Sequence, residues 1–236
     1  MIPRIIHYCW FGRGPMPDLA QKCIESWHRY MPDYEYRLWN EDSFDIQSVP
    51  YVKEAYESGK YAFVTDYVRL YALYTEGGIY MDTDVEVLKP YDNLMDLPGF
   101  TGYEGSKSLP PVTGTMASEP GNAWVKEQLD SYQGVHFILP DGTLDLTTNT
   151  VRITRVMQEG GFVSDGKKQI YKDMHIFPVE YFCPQQTTGE IIMTDNTYCD
   201  HHFMGSWGEK KKGVLLRLFG QKTLTKLIKL KRRLLG

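Results

Sequence analysis

Two short blocks decide how this chain folds: Phe63-Val64-Thr65-Asp66-Tyr67-Val68-Arg69-Leu70, and then Gly77-Gly78-Ile79-Tyr80-Met81-Asp82-Thr83-Asp84. From Ala62 to Glu76 the residues Ala62, Val64, Tyr67, Val68, Tyr71 and Tyr74 recur at helical spacing, which predicts a helix stopped by Gly77-Gly78. Ile79-Tyr80-Met81 then reads as a short buried strand that ends in two aspartates one residue apart. Upstream, Ile5 to Trp10 reads as a strand, Leu19 to Tyr30 as a helix closed before Met31-Pro32, and Tyr34 to Trp39 as a second strand. Strands alternating with helices predict an α/β sheet protein.

The carboxyl end of a strand is where open α/β sheets bind ligands. Bare carboxylates so close repel, and a hard divalent cation such as Mn²⁺ or Mg²⁺ relieves the repulsion. A solvated turn is the plain alternative for Asp82-Thr83-Asp84, and the neighbouring helix decides against it. Asp66 and Arg69 stand at i and i+3 on one helical face. Elsewhere that pair would be a surface ion pair worth less than about 1 kcal/mol. Here an apolar, aromatic helix carries it straight into the paired aspartates.

Length and charge bound the rest. With 236 residues, 42% hydrophobic and 24% charged, the chain has the composition of a soluble globular protein. Four cysteines (Cys9, Cys23, Cys183, Cys199) without CxxC spacing predict a reducing compartment, and no apolar run is long enough for a membrane span or a secretory signal. The net charge of −4 hides a division. Residues 1–209 hold all 30 acids against 16 bases, or −14, and residues 210–236 hold ten bases and no acid, or +10. We therefore expect one catalytic domain over 1–208 and a basic amphipathic helical tail over 209–236. Leu216, Phe219, Leu224, Leu227, Ile228, Leu230, Leu234 and Leu235 fall largely on one side of that tail, although Lys231 interrupts the stripe. Such a helix predicts attachment to an anionic membrane surface, with docking on the acidic body as the competing reading. Nucleic acid fits poorly, because the body is acidic.

Four blocks in order, residues 2–12 (Ile-Pro-Arg-Ile-Ile-His-Tyr-Cys-Trp-Phe-Gly), Asp66–Arg69, residues 77–84 and Gly205-Ser206-Trp207, resemble glycosyltransferase family 32. That family is a DXD sugar-transferase group that includes bacterial capsule and O-antigen enzymes and is related to the glucosylating clostridial toxins. The likeness is strongest over roughly 1–90, returns briefly at 198–208, and is faint between about 100 and 195. It implies a GT-A fold with a single mixed sheet flanked by helices, a UDP-sugar donor, Mn²⁺ or Mg²⁺, and retention of anomeric configuration.

By that resemblance Trp10 stacks on the nucleotide base, with His7, Tyr8 and Gly12 nearby; burial of Trp10 in the core is the alternative. Asp66 and Arg69 hold the donor sugar and its phosphate. Asp82 meets the ribose and the metal, Asp84 is the direct metal ligand, and Ser206 and Trp207 close over the diphosphate. Neighbours on a strand point to opposite faces, so only one of His201 and His202 reaches the metal. Spacing from Gly205 inclines to His202, while His201 better matches the first histidine of the block. Asp145 and Asn149 are weaker candidates near the anomeric carbon, set against an ordinary helix start. Asp195 and Asn196 are weaker still, and no nucleophile is nominated.

The expected activity is transfer of a hexose or N-acetylhexosamine to an oligosaccharide on a lipid carrier, at the cytoplasmic face of a bacterial plasma membrane. Transfer to a protein, or a sugar-nucleotide or membrane-binding module without turnover, are the rivals.

Overall fold

A computed structural model describes residues 1–105, 110–185 and 191–204, of which Met1–Phe203 form one compact unit. The expected tail over 209–236, Ser206 and Trp207 lie outside the described residues.

The elements run β1 (Ile5–Cys9), α1 (Asp18–Tyr30), β2 (Glu35–Trp39), α2 (Pro50–Glu57), α3 (Tyr61–Glu76), β3 (Gly78–Met81), β4 (Val85–Val87), β5 (Gly99–Gly102), β6 (Thr115–Ser118), α4 (Ala123–Asp130), α5 (Asn149–Glu159), β7 (Gln169–Tyr171), β8 (Met174–Phe177), α6 (Val179–Phe182) and β9 (Cys199–His201). Seven strands form one mixed sheet in the order β2-β1-β3-β6-β5-β8-β7. β1 runs parallel to both β2 and β3, β5 parallel to β8, and the remaining pairs are antiparallel. The expected mixed α/β sheet flanked by helices is present. Beside this central sheet, β4 and β9 make a separate two-stranded ribbon, pairing Val85 with His201 and Val87 with Cys199. α2, absent from the sequence-based expectation, has eight residues and begins with Pro50 at the first helical position.

Alternation within the strands explains why helices cover both faces. Tyr80 and Met116 join the core beneath α2, α3, α4 and α5, while their neighbours Ile79, Met81 and Ala117 join the core beneath α1, α6 and the ribbon. β3 lies between the two and is buried at every position. α3 is correspondingly buried over most of its circumference, and Asp66 and Arg69 are buried with it. The turn from α3 into β3 needs its glycines. Gly77 and Gly78 have φ of +66° and +106°, and a Cβ on Gly78 would meet the Ile5 carbonyl oxygen at 2.6 Å. Among the described residues no helix is long and apolar enough to cross a membrane, and all four cysteines are buried and unbridged.

Candidate active site

Strand order fixes where the site lies. The chain moves from β1 outward to β2 and returns on the other side of β1 as β3, so the carboxyl ends of β1 and β3 flank a topological switch point. Trp10 follows β1 there, and Asp82 follows β3. The Asp82 N–H donates to the Gly114 carbonyl at 2.8 Å, and its own carbonyl accepts from Val85 N–H at 3.0 Å, turning the chain into β4. α1 holds that turn from beneath: Trp27 Nε1 donates to the Val85 carbonyl at 2.7 Å, and the Ser26 hydroxyl accepts from Val87 N–H at 2.9 Å.

Ribbon pairing brings His201 to this turn. Its Nε2 lies 3.3 Å from Asp84 Oδ1 and 4.0 Å from Asp82 Oδ2. Donor atoms of Asp82, Asp84 and His201 all lie within 4.8 Å of one another. Two carboxylates and an imidazole in such a cluster match the oxygen-and-nitrogen donor set of a Mn²⁺-type cation. Burial by itself would lower the His201 pKa, but hydrogen bonds with Asp84 and Cys183 and the negative charge of Asp84 overturn this and hold it well above its ordinary value. Gly114 passes close by; a Cβ there would lie 2.9 Å from Asp82 Oδ2 and 3.2 Å from His201 Cε1.

The second half of the site comes from α3. Arg69 Nη2 bridges Asp66 Oδ1 at 3.4 Å and Asp82 Oδ1 at 3.2 Å, and its guanidinium lies 4.6 Å over the Tyr80 ring. The Tyr80 hydroxyl donates to the same Asp82 oxygen at 2.8 Å. Asp66 is 0% exposed, and neither carboxylate oxygen makes a hydrogen bond of normal geometry. Burial drives its pKa well above the carboxylate range, with Arg69 working against the rise. Burial also opposes the charge on Arg69, and the adjoining Asp82 and Asp66 carboxylates outweigh it. A buried carboxyl with only the Asn149 backbone N–H turned toward it, beside a cation held between two acids, suits a polar ligand that brings its own donors.

Several candidates sit elsewhere. His202 faces away from the aspartates, its Nε2 2.9 Å from Glu86 Oε2, so the inclination toward His202 is reversed. The cause is register: His201 is paired in the ribbon, and the next side chain turns to the other face. His7 is fully buried, and both ring nitrogens are committed. Nδ1 accepts from Trp39 Nε1 at 3.0 Å, leaving the proton on Nε2 to donate to the Gly77 carbonyl at 2.7 Å. It is a structural histidine neighbouring Trp39, which corrects its reading as a ligand-binding residue. Tyr8 packs edge-on against Trp27 at 5.6 Å, within the core beneath α1.

Trp10 stays half-buried and outside both cores, with Nε1 donating to the Gly14 carbonyl at 2.7 Å. The Gly12 N–H donates to Glu41 Oε1 at 2.6 Å. Asp145 pairs with Arg152 at 2.9 Å, and buried Asn149 opens α5, with its backbone N–H toward Asp66. Asp195 and Asn196 occupy an exposed turn, where Lys89 Nζ reaches the Asp195 carbonyl. Sequence reasoning missed Glu104, Cys183 and Gly114, which line the His201 side; none belongs to a motif, and only the folded sheet gathers them.

Residues 17–100 match the family described as glycosyltransferase sugar-binding region containing DXD motif, and Asp82-Thr83-Asp84 falls within them. The chain is 37% identical over 106 residues to inositol phosphoceramide mannosyltransferase 3 of Schizosaccharomyces pombe, covering 42% of this chain and 29% of that protein. It is 32% identical over 108 residues to mannosyl phosphorylinositol ceramide synthase CSH1 of Saccharomyces cerevisiae, covering 42% and 27%. The chain thus spans less than a third of the length of either relative. These relatives are fungal and lend the bacterial capsule and toxin connection no support. A solved PaToxG glycosyltransferase is similar at 18% identity and a TM-score of 0.47, over 67% of this chain and 70% of that one.

Proposed function

We propose that this chain is a metal-dependent glycosyltransferase that takes a hexose or N-acetylhexosamine from a nucleoside diphosphate sugar, with retention at the anomeric carbon. The observation that carries the reading is the convergence of Asp82, Asp84 and His201 beside the buried Asp66–Arg69 pair. The family match over residues 17–100 supports it.

Each residue then has a physical task. Asp82, Asp84 and His201 hold a divalent cation, which when bound supplies positive charge to stabilise a departing diphosphate. Arg69, fixed by Asp66, Asp82 and the Tyr80 ring, presents a preoriented cation to the donor phosphates and fixes the Asp82 carboxylate. Asp66, whose oxygens keep accepting capacity beyond the Asn149 backbone N–H, accepts hydrogen bonds from sugar hydroxyls. Trp10, half-buried and held by Gly14 at the end of β1, is assigned to base stacking. No carboxylate is assigned as a nucleophile.

The names of the fungal relatives give a mannose donor and a lipid acceptor. Both favour a lipid-linked acceptor here and add mannose to the candidate sugars. UDP follows from the resemblance of the Trp10 block, and GDP enters because of the mannose. Peripheral attachment through the basic tail, on the cytoplasmic side of a membrane, completes the proposal.

The test is Mn²⁺-dependent release of nucleoside diphosphate from a panel of UDP- and GDP-hexoses and N-acetylhexosamines. One donor should be turned over, and Asp84→Asn should abolish this. Absence of hydrolysis and transfer with every donor would sink the enzyme reading and leave the binding module. For the tail, the full chain should co-sediment with anionic vesicles better than residues 1–209 do; equal binding would dismiss it.

A further inference from the structure

His201 aims its two ring nitrogens at different neighbours. Nε2 faces Asp84 and Asp82. Nδ1 is buried, lies 3.8 Å from Glu104 Oε2, and faces the side where the Cys183 thiol meets the imidazole. Cys183 joins them from the end of α6, and donor atoms of Glu104, Cys183 and His201 all lie within 4.8 Å of one another. These groups come from three separate elements, Glu104 just beyond β5, Cys183 just beyond α6 and His201 at the end of β9. Cys183 is fully buried and His201 is 8% exposed.

We infer a second cation site, made of Glu104, Cys183 and His201 Nδ1, that takes Zn²⁺ and shares its histidine with the Asp82–Asp84 cluster. The donor chemistry separates the two. Carboxylates with one imidazole favour a hard ion, whereas a thiolate with imidazole and one carboxylate is a zinc set. Zinc bonds of about 2.0 Å to oxygen and nitrogen put neighbouring ligand atoms roughly 3.3 Å apart in a tetrahedron, so the observed 3.8 Å needs only a small adjustment. On binding, the Cys183 S–H bond breaks, its proton passes to solvent and a zinc–sulfur bond forms; nothing is oxidised or reduced.

Sharing one imidazole makes the two sites antagonistic. A neutral imidazole has one nitrogen lone pair to give, and the other nitrogen carries the proton. Zinc on Nδ1 turns Nε2 into an N–H donor toward Asp84, which removes it as a ligand for a cation held by Asp82 and Asp84. Zinc therefore acts as an inhibitor of that cluster without occupying it.

Isothermal titration of the full chain with Zn²⁺ and with Mn²⁺, and Co²⁺ absorption spectra, test this. Wild type should bind Zn²⁺ and show a thiolate-to-cobalt charge-transfer band. Cys183→Ser should lose the band and weaken Zn²⁺ binding by about 100-fold, at the upper end of what a disturbed metal shell costs, while Mn²⁺ affinity in zinc-free buffer stays within about 3-fold. Glu104→Gln gives the same test if the serine variant melts early. Saturating Zn²⁺ should weaken Mn²⁺ binding to wild type by at least about tenfold, or 1.4 kcal/mol. Retention of full Zn²⁺ affinity by both variants, or its loss on Asp84→Asn alone, would overturn the site. Because every readout is metal binding, a failure here is separate from a failure to transfer sugar.

Discussion

Val85 and His201 are register partners across the β4–β9 ribbon, so His201 stands beside the residue that follows Asp84. The Asp84 carbonyl accepts from His202 N–H at 3.0 Å, closing the same end of the ribbon. His201→Ala should therefore weaken Mn²⁺ binding by at least about tenfold, and His202→Ala, whose ring pairs with Glu86, by less than about threefold. Titration calorimetry on both variants checks this, and equal effects would undo the assignment of the ligand.

Arg69 balances two buried or half-buried acids. Replacing it by Met leaves Asp66 without its cation, and breaking a buried pair costs about 3–5 kcal/mol. Arg69→Lys keeps a charge that can lie between the two acids but gives up the planar guanidinium that stacks on Tyr80 and donates from Nε to the Thr65 carbonyl, so its loss should be smaller. Urea denaturation should rank wild type above Lys and Lys above Met. A Met variant as stable as wild type would show that the pair does not hold the helix.

Gly114 is a packing constraint on the Asp82–Asp84–His201 cluster. A methyl there meets Asp82 Oδ2 at 2.9 Å, Val85 Cγ2 at 3.1 Å and His201 Cε1 at 3.2 Å. Gly114→Ala should cost about 1–3 kcal/mol and lower Mn²⁺ affinity by displacing two of the three donors. A variant with unchanged affinity would show that this wall yields freely.

His7 supplies a pH dependence remote from the cluster. Burial, partly offset by the bond to Gly77 and reinforced by Arg37, lowers its pKa to about 4 from 6.5. Between those values the unfolded chain binds the proton and the folded one does not. Stability from this residue is therefore complete above about pH 6.5 and falls as pH drops toward 4, by roughly 3 kcal/mol in all. His7→Gln should be destabilised at pH 7.5 yet lose less further stability than wild type on going to pH 5, as thermal melts at the two values would read. Parallel losses in the two proteins would exclude His7 as the source.

The first half of the chain was legible because its signals are local. The α3 periodicity, the Gly77-Gly78 stop and the short apolar strand occur in one continuous run, and the helix and strand came out within a residue of expectation. The paired aspartates at a strand end follow from the same run. His7 misled because a histidine next to a candidate aromatic looks like a ligand, and only the fold shows Trp39 and Gly77 taking both its nitrogens. The choice between His201 and His202 depended on the register of a three-residue strand, which neither propensity nor spacing encodes. Glu104 and Cys183 were hidden for a plainer reason: their partner is 97 and 18 residues away along the chain.

The ribbon that delivers His201 pairs only three residues on each strand. So short an element has few hydrogen bonds to hold it and belongs among the parts of a protein that open locally while the main sheet stays folded. Opening withdraws one of the three proposed donors, so the affinity for the proposed cation would include the free energy of keeping the ribbon shut. A bound cation in turn acts as a clasp on residues 199–201, and its clearest signature is slowed amide exchange there, against unchanged exchange in β1 and β3.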